Sequence, residues 1–397
     1  MGNTDAVHFR EEAENLQPYL TAIRERLHQY PELSGQEFQT CATIREELEK
    51  LGLEPDPRFA APDTVALLRG AFPGPAVALR ADIDALPITE RTSAPYRSKY
   101  GGVMHACGHD AHTAMLLGAA KLLAARRAQL RGNVKLIFQS AEEQAPGGAR
   151  GLVERGVLEE PHVEMIFAQH VQAHIPCGRL GLRTGSFMAA SDDFRISVYG
   201  RSCHAAHPQR GVDAIWAGSQ IITALQGEMN RAKAPVVPAV LSVCTIQGGT
   251  KSNIIADSLV MTGTLRTLDE GIRTVLKERI ATVADHTARA CGASCEVVFT
   301  PGYPCVSNNS HACSVMRAAG EKVLGAGQVF SLEYPSTGSE DFAWYQQNCP
   351  GVIGHIGCGN PEKGITSAIH TPAFDIDDRV LPLGAALLAQ CAWDFLR

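Results

Sequence analysis

The sequence predicts an α/β protein of two domains, the smaller inserted into the larger, and three observations carry that prediction. The chain has 397 residues, more than a single hydrophobic core usually organises. Short apolar runs alternate with helical patterns before about residue 186 and again after 302, the rhythm of strands covered by helices on both faces. Between these stretches the order changes to strand, helix, strand, strand, helix, strand.

Taken in order, Leu16, Leu20, Ile23 and Leu27 recur at helical spacing, and Phe38 to Leu51 forms a second helical pattern ended by Gly52. Strands are expected at Thr64–Leu68, Ala76–Arg80, Val134–Phe138 and Met165–Ala168, with a helix over Ala111–Ala125. The inserted module, residues 187–302, divides into strand 193–200, helix 211–231, strand 236–246, strand 258–267, helix 268–290 and strand 293–300. That βαββαβ order is the ferredoxin-like arrangement. Its first helix is expected to bury Val212, Ile215, Ile222, Leu225 and Met229 on one stripe, its second Ile272, Leu276, Ile280 and Val283; one apolar face on each suits a single open sheet. Residues 303–397 return to the larger domain through Asp341–Gln347, Val352–Ile356 and a final helix over Asp378–Phe395.

Composition narrows the function classes. Hydrophobic residues make up 45% and charged residues 20%, ordinary globular usage that excludes a disordered or fibrous chain. A net charge of -6 is too mild for nucleic acid and too even for a membrane-binding patch, so small molecules are the expected partners. The start Met-Gly-Asn-Thr-Asp-Ala has no basic segment leading into an apolar run, and no stretch reaches the length of a membrane span. Twelve cysteines lie scattered without a Cys-x-x-Cys pair, which suggests reduced thiols in the cytoplasm.

The stretch Met104-His105-Ala106-Cys107-Gly108-His109-Asp110-Ala111-His112 packs a thiol and three imidazoles beside a glycine, just ahead of a helix. Cysteine and histidine are preferred ligands of zinc-like ions, and glycine permits a close approach. A polar loop of hydrogen-bonded histidines is the alternative. In Phe138-Gln139-Ser140-Ala141-Glu142-Glu143 a strand runs into two adjacent carboxylates. One can bind metal while the other moves protons, a division suited to hydrolysis because a metal lowers the pKa of water and a carboxylate can take its proton. The alternative is an acidic pair opening the next helix. His170 closes the apolar run Met165–Ala168, at a strand end where open α/β sheets place ligands, and His370 lies in Ala368-Ile369-His370-Thr371-Pro372; each has a structural alternative when taken alone.

Together these segments resemble the dinuclear-metal aminoacylase and carboxypeptidase family of clan MH, in the subgroup of auxin-conjugate hydrolases, hippurate hydrolase and N-acyl-amino-acid deacylases. The resemblance runs from His28-Gln29-Tyr30-Pro31-Glu32-Leu33 to the last helix and includes Leu79-Arg80-Ala81-Asp82-Ile83-Asp84-Ala85-Leu86-Pro87, the Cys107 stretch, Glu142-Glu143, Gly338-Ser339-Glu340-Asp341-Phe342 and His370-Thr371-Pro372. It implies a mixed-sheet, zinc-peptidase-like catalytic domain with the inserted module as a lid used for dimerisation. It also implies two divalent ions per subunit, zinc or manganese first, with cobalt and nickel also fitting. Cys107 would bridge them, Glu143 and His370 completing one set and His109 and His170 the other. Glu142 would be the general base and Asp84 the carboxylate that orients the cluster from behind. His204, in Gly200-Arg201-Ser202-Cys203-His204, would reach a partner subunit's site and steady the oxyanion, while Asn253 and Arg266 would grip the substrate carboxylate. Departures border the site: Gln144-Ala145-Pro146 where relatives are glycine-rich, and Cys203 where many have glycine.

The expected function is therefore metal-dependent cleavage of N-acyl or N-aroyl amino acids by a homodimer. A dipeptidase or carboxypeptidase is the neighbouring alternative. From other classes, a non-catalytic metal- or amino-acid-binding protein and thiol redox chemistry at Cys107 and Cys203 are the competing readings.

Overall fold

The computed structural model describes residues 8–229, 231 and 238–397. The N-terminal reading at residues 1–7 and the first two residues of the expected strand 236–246 lie outside the described residues. The chain divides into two compact units, one made of 1–185, 307–334 and 341–397, the other of 186–306 and 335–340.

The larger unit is built on a seven-stranded mixed sheet. From one edge its strands run Thr64–Arg69, Arg131–Gln139, Phe72–Asp82, Val163–Pro176, Gly351–Gly359, Leu180–Leu182 and Val329–Ser331. The four from Arg131–Gln139 to Gly351–Gly359 are mutually parallel, so their carboxyl ends share one rim. Their near-continuous burial, complete from Ala76 to Asp82, is what a sheet covered on both faces requires. The helix His109–Ala125 is buried almost all round, as is the terminal helix Val380–Phe395; each lacks the polar face of a surface helix.

Two of the longer elements in this unit differ from expectation. The strand containing His170 continues to Pro176, so His170 does not end it. Because Arg80 pairs with Ala168, His170 nevertheless stands at the level where the neighbouring strand stops at Asp82. The helix Ser310–Leu324 had no counterpart in the sequence reading; Asn309 caps it by accepting from the N–H groups of His311 and Ala312, and Ala312, Met316, Ala319 and Val323 form its buried stripe.

The smaller unit is a four-stranded antiparallel sheet in the order Ser294–Pro301, Ala190–Tyr199, Ser258–Thr267, Ala239–Gly248, with helices Ala214–Met229 and Glu270–Ala290. Chain order and sheet order together give the ferredoxin-like βαββαβ arrangement. Its core joins Phe194, Ile196, Ile221, Leu225, Leu276 and Ile280. The first helix buries Ala214, Ala217, Gly218, Ile221, Leu225 and Met229; Leu225 and Met229 lie on the expected stripe, Val212 and Ile222 pack partly buried against the core, and Ile215, with Trp216, is exposed. Segment 335–340, expected in the larger domain, groups with this unit because the Ala189 N–H donates to the carbonyls of Ser336 and Gly338.

Candidate metal centre and active site

Four loops and strand ends on the rim of the larger sheet bring the chemistry together. The Cys107 Sγ lies 3.3 Å from His170 Nε2 and 3.3 Å from His370 Nε2. The ligand atoms of Cys107, His109 and His170 all lie within 4.8 Å of one another, as do those of Cys107, Glu143 and His370. The structure thus brings all five expected ligand residues around one thiol, and Glu142 stands in a third such group with His109 and Glu143.

Local structure explains the convergence. Gly108 has φ 89°, and a Cβ there would come within 2.4 Å of Val171 Cγ2, so only glycine lets the Cys107 turn lie against the His170 strand before the helix begins at His109. The glutamate pair does not open a helix: the next one starts at Gly148. It sits in a turn whose first residue, Ala141, has φ 53°, a left-handed conformation that costs a non-glycine residue roughly 1–2 kcal/mol. His370 is also left-handed, at φ 62°, and is held by its N–H donating to the Ala106 carbonyl at 2.7 Å.

Hydrogen bonds behind the site fix which nitrogen His109 and His170 present. His109 Nδ1 meets Asp84 Oδ1 at 3.1 Å, leaving Nε2 to face the cluster. Asp84 Oδ2 accepts from Ser34 Oγ at 2.7 Å and from the Glu143 N–H at 2.9 Å, so one buried carboxylate aligns two of the five residues. His170 Nδ1 donates to the Val171 carbonyl at 2.8 Å, which turns its Nε2 lone pair toward Cys107.

Donor chemistry fits divalent ions. His109 Nε2 and Glu143 Oε1 are buried without a hydrogen-bond partner among the described residues. They stand 4.0 Å apart, and His370 Nε2 is 3.1 Å from the same Glu143 oxygen. Atoms that converge this closely without bonding one another have the arrangement of ligands around a shared cation. Burial and the charges of Glu143, Glu142 and Asp82 push the Cys107 thiol well up, so a thiolate there requires added positive charge. That direction also opposes the redox reading, which needs a thiol pulled down. Burial holds His170 well below the usual histidine range, in the neutral form that binds metal.

Three residues close to this centre belong to the quoted motifs but carry no individual role in the sequence. Asp82 Oδ1 lies 2.5 Å from His112 Nδ1, and His112 Nε2 accepts from the Val171 N–H at 2.9 Å. His112 is therefore a neutral ring protonated toward Asp82, with its other nitrogen occupied by backbone, and it holds the residue next to His170. Arg80 pairs with Asp82 at 2.7 Å and Asp341 at 2.8 Å. The signal was present: His109 and His112 are three apart on one helix face, and Arg80, Asp82 and Asp84 alternate onto one side of a strand end. His105, the remaining imidazole of the stretch, turns away toward His28, ring centroids 6.3 Å apart.

The other expected site residues belong to the smaller unit. His204 is exposed and lies in a two-residue bridge to Ile254–Ile255; its Nδ1 accepts from the Ala206 N–H at 3.1 Å. The Asn253 carbonyl accepts from the Ala205 N–H at 3.0 Å, and the half-buried Arg266 donates to Ser339 Oγ at 2.9 Å.

Comparison with known proteins places this geometry. The chain is 40% identical over 377 residues to an N-acetyl-L-cysteine deacetylase of Bacillus subtilis, covering 95% of this chain and 88% of the relative. It is 39% identical to thermostable carboxypeptidase 1 of Saccharolobus solfataricus, covering 98% of each. It superimposes with a TM-score of 0.85 at 37% identity on the crystal structure of the Bacillus subtilis YXEP protein, a dinuclear metal binding peptidase from the M20 family, covering 96% of this chain and 99% of that one. A non-catalytic binding protein is set aside by these relationships. Residues 78–394 match peptidase family M20/M25/M40, and the chain belongs to that family as a hydrolase acting on amide bonds.

Proposed function

We propose that the chain is a dinuclear-metal amidohydrolase that releases a free amino acid from an N-acyl or N-aroyl amino acid. The convergence of Cys107, His109, Glu143, His170 and His370, with Glu142 beside them, supports this reading most. In it, Cys107, Glu143 and His370 would hold one ion, and Cys107, His109 and His170 the other. Zinc and manganese suit a thiolate, imidazole and carboxylate set, and cobalt and nickel are also accommodated. Bound there, two such ions would supply Lewis acidity to the scissile carbonyl and would lower the pKa of water toward neutrality.

The chain's own residues supply the rest. Glu142 takes the proton from the attacking water and returns it to the departing amine nitrogen, so no proton is gained or lost over the cycle. Asp84 keeps His109 and Glu143 in register throughout. His204, whose Nδ1 is occupied by a backbone N–H, carries its proton on Nε2 and donates it toward the negative charge developing on the carbonyl oxygen in a partner subunit's site. Arg266 and Asn253 hold the substrate carboxylate, for which a guanidinium fork is suited.

A homodimer through the smaller unit is part of the proposal. Strand Ala239–Gly248 is an edge of its sheet, and Ile246 on that strand with Ile215 and Trp216 on the helix is exposed at 54%, 45% and 52%; an unpaired edge beside apolar side chains favours pairing with a second copy. Among the described residues no helix is long and apolar enough to cross a membrane, and all twelve cysteines are thiols, which supports the cytoplasm.

The carboxypeptidase relative favours a second reading in which short peptides are cleaved. A panel of N-acetyl, N-benzoyl, long-chain acyl and dipeptide substrates, assayed with zinc and with manganese, separates the two. The proposal expects turnover of an N-acyl or N-aroyl amino acid to exceed that of every dipeptide, and the reverse ranking would replace it with the peptidase.

A further inference from the structure

The turn that carries Glu142 is gripped from behind by three buried carboxylates, each accepting a different backbone N–H. Asp63 Oδ1 accepts from Ser140 at 3.1 Å, Glu37 Oε1 from Ala141 at 2.7 Å, and Asp84 Oδ2 from Glu143 at 2.9 Å. Asp84 is already part of the metal-site reading, and Asp63 also bonds the Ser140 hydroxyl at 2.8 Å. Glu37 accepts from the N–H of Ala141, the left-handed residue directly before Glu142.

Glu37 occupies the N-cap position of helix Phe38–Lys50, where a carboxylate ordinarily caps the helix amides. Its side chain makes no cap bond. Glu32 takes that task, its carboxylate accepting from the N–H groups of Gln39 at 3.0 Å and Thr40 at 2.8 Å. Glu37 is fully buried and reaches 104 residues along the chain to the turn. On its far side the Ala141 carbonyl accepts from the Gly148 N–H at 3.2 Å, and a Cβ on Gly148 would lie 2.1 Å from the Ser140 carbonyl oxygen. Ala141 is thus clamped at both its N–H and its carbonyl.

We propose that Glu37 is a positioning residue for the general base: its carboxyl oxygen, bonded to the Ala141 N–H, locks the left-handed turn that aims Glu142. This rests on Glu142 being the base. Glu143 keeps its own anchor in Asp84, so loss of Glu37 misdirects the base while leaving the metal ligands in place. Burial raises Glu37 to about 7; a protonated carboxyl still offers a carbonyl oxygen to Ala141, so the role does not depend on its charge, and glutamine is its proper mimic.

The test compares Glu37→Ala, Glu37→Asp and Glu37→Gln with Glu142→Ala in the full-length, manganese-loaded protein, reading kcat, KM for an N-acetyl amino acid, metal stoichiometry and amide exchange across Ser140–Glu143. Misplacing a catalytic group by about 1 Å can cost about 100-fold. Glu37→Ala and the too-short Glu37→Asp should lose kcat on that scale, with KM and metal content held and the turn exchanging faster. Glu37→Gln should restore kcat to within about threefold of the parent. The proposal is overturned if Glu37→Ala keeps its kcat, if it loses metal together with kcat, or if Glu37→Gln is as impaired as Glu37→Ala. If Glu142→Ala itself keeps kcat, the base assignment fails and this inference falls with it; if only the Glu37 variants keep kcat, the base assignment stands and Glu37 alone is overturned.

Discussion

The rim of the larger unit and the 203–207 bridge of the smaller unit both carry proposed catalytic residues, yet they are built in opposite ways. On the rim, His109, Glu143 and His170 are buried or nearly so, and each is tied to a fixed partner: Asp84 for the first two, the Val171 carbonyl for the third. In the bridge, His204 is exposed and rests on two residue pairs of strand and on bonds from the N–H groups of Ala206 and His207. Ligands of an ion must hold their geometry before it arrives, which calls for rigid partners behind them. A group that meets substrate needs exposure more than restraint.

That contrast can be broken experimentally, beginning with the rim. Glu143→Ala should lose metal from the site and nearly all turnover with it; full occupancy of two ions in that variant, measured by elemental analysis, would remove Glu143 from the ligand set. Glu142→Ala should keep both ions and lose turnover by about 10²–10⁴-fold, the range for a general base. His204→Ala should cost about 10²–10³-fold in kcat, as for an oxyanion donor, with metal content untouched. Should His204→Ala release metal, the division between the two regions would collapse.

Smaller effects sharpen the comparison. His112→Ala removes the grip on the Val171 N–H and should weaken metal affinity by about 10–100-fold, the usual cost of an outer partner, measured by competition with a chelator. An unchanged affinity would reduce His112 to packing. Smallest is a pH effect on folding at the back of the site. Burial alone would lower His28, but Asp110 and Glu90 override it and raise the ring from 6.5 to about 9. A raised histidine contributes stability that is complete below its unfolded value and is lost as pH climbs through its folded one. The urea midpoint should therefore fall between about pH 6.5 and 9 in the parent and fall less in His28→Gln; parallel curves would contradict the assignment.

Chemistry made the proposed ligands readable in sequence. Cys107-Gly108-His109 and Glu142-Glu143 are residue pairs that packing alone rarely selects, and His170 sits beside an apolar run that had to be a strand. In the first helix of the smaller unit Ile215 alone departs from the expected stripe: it is apolar yet exposed, and an isolated pattern cannot tell a core from an exposed apolar face. Segment 335–340 could not be assigned, since its hydrogen bonds go to Ala189, far along the chain. Glu37, Asp63, His112 and Arg80 escaped for the same reason: each acts on a backbone or side chain that only folding brings near, Arg80 on Asp341 from 261 residues away.

In the proposed centre one thiolate would join two ions while the acid beside it would stay out of their coordination. Anomalous diffraction from crystals grown with manganese or zinc tests it directly. The expected map has two peaks, both within bonding distance of Cys107 Sγ, one completed by Glu143 and His370 and the other by His109 and His170. A single peak, or a peak coordinated by Glu142 in place of Glu143, would contradict it.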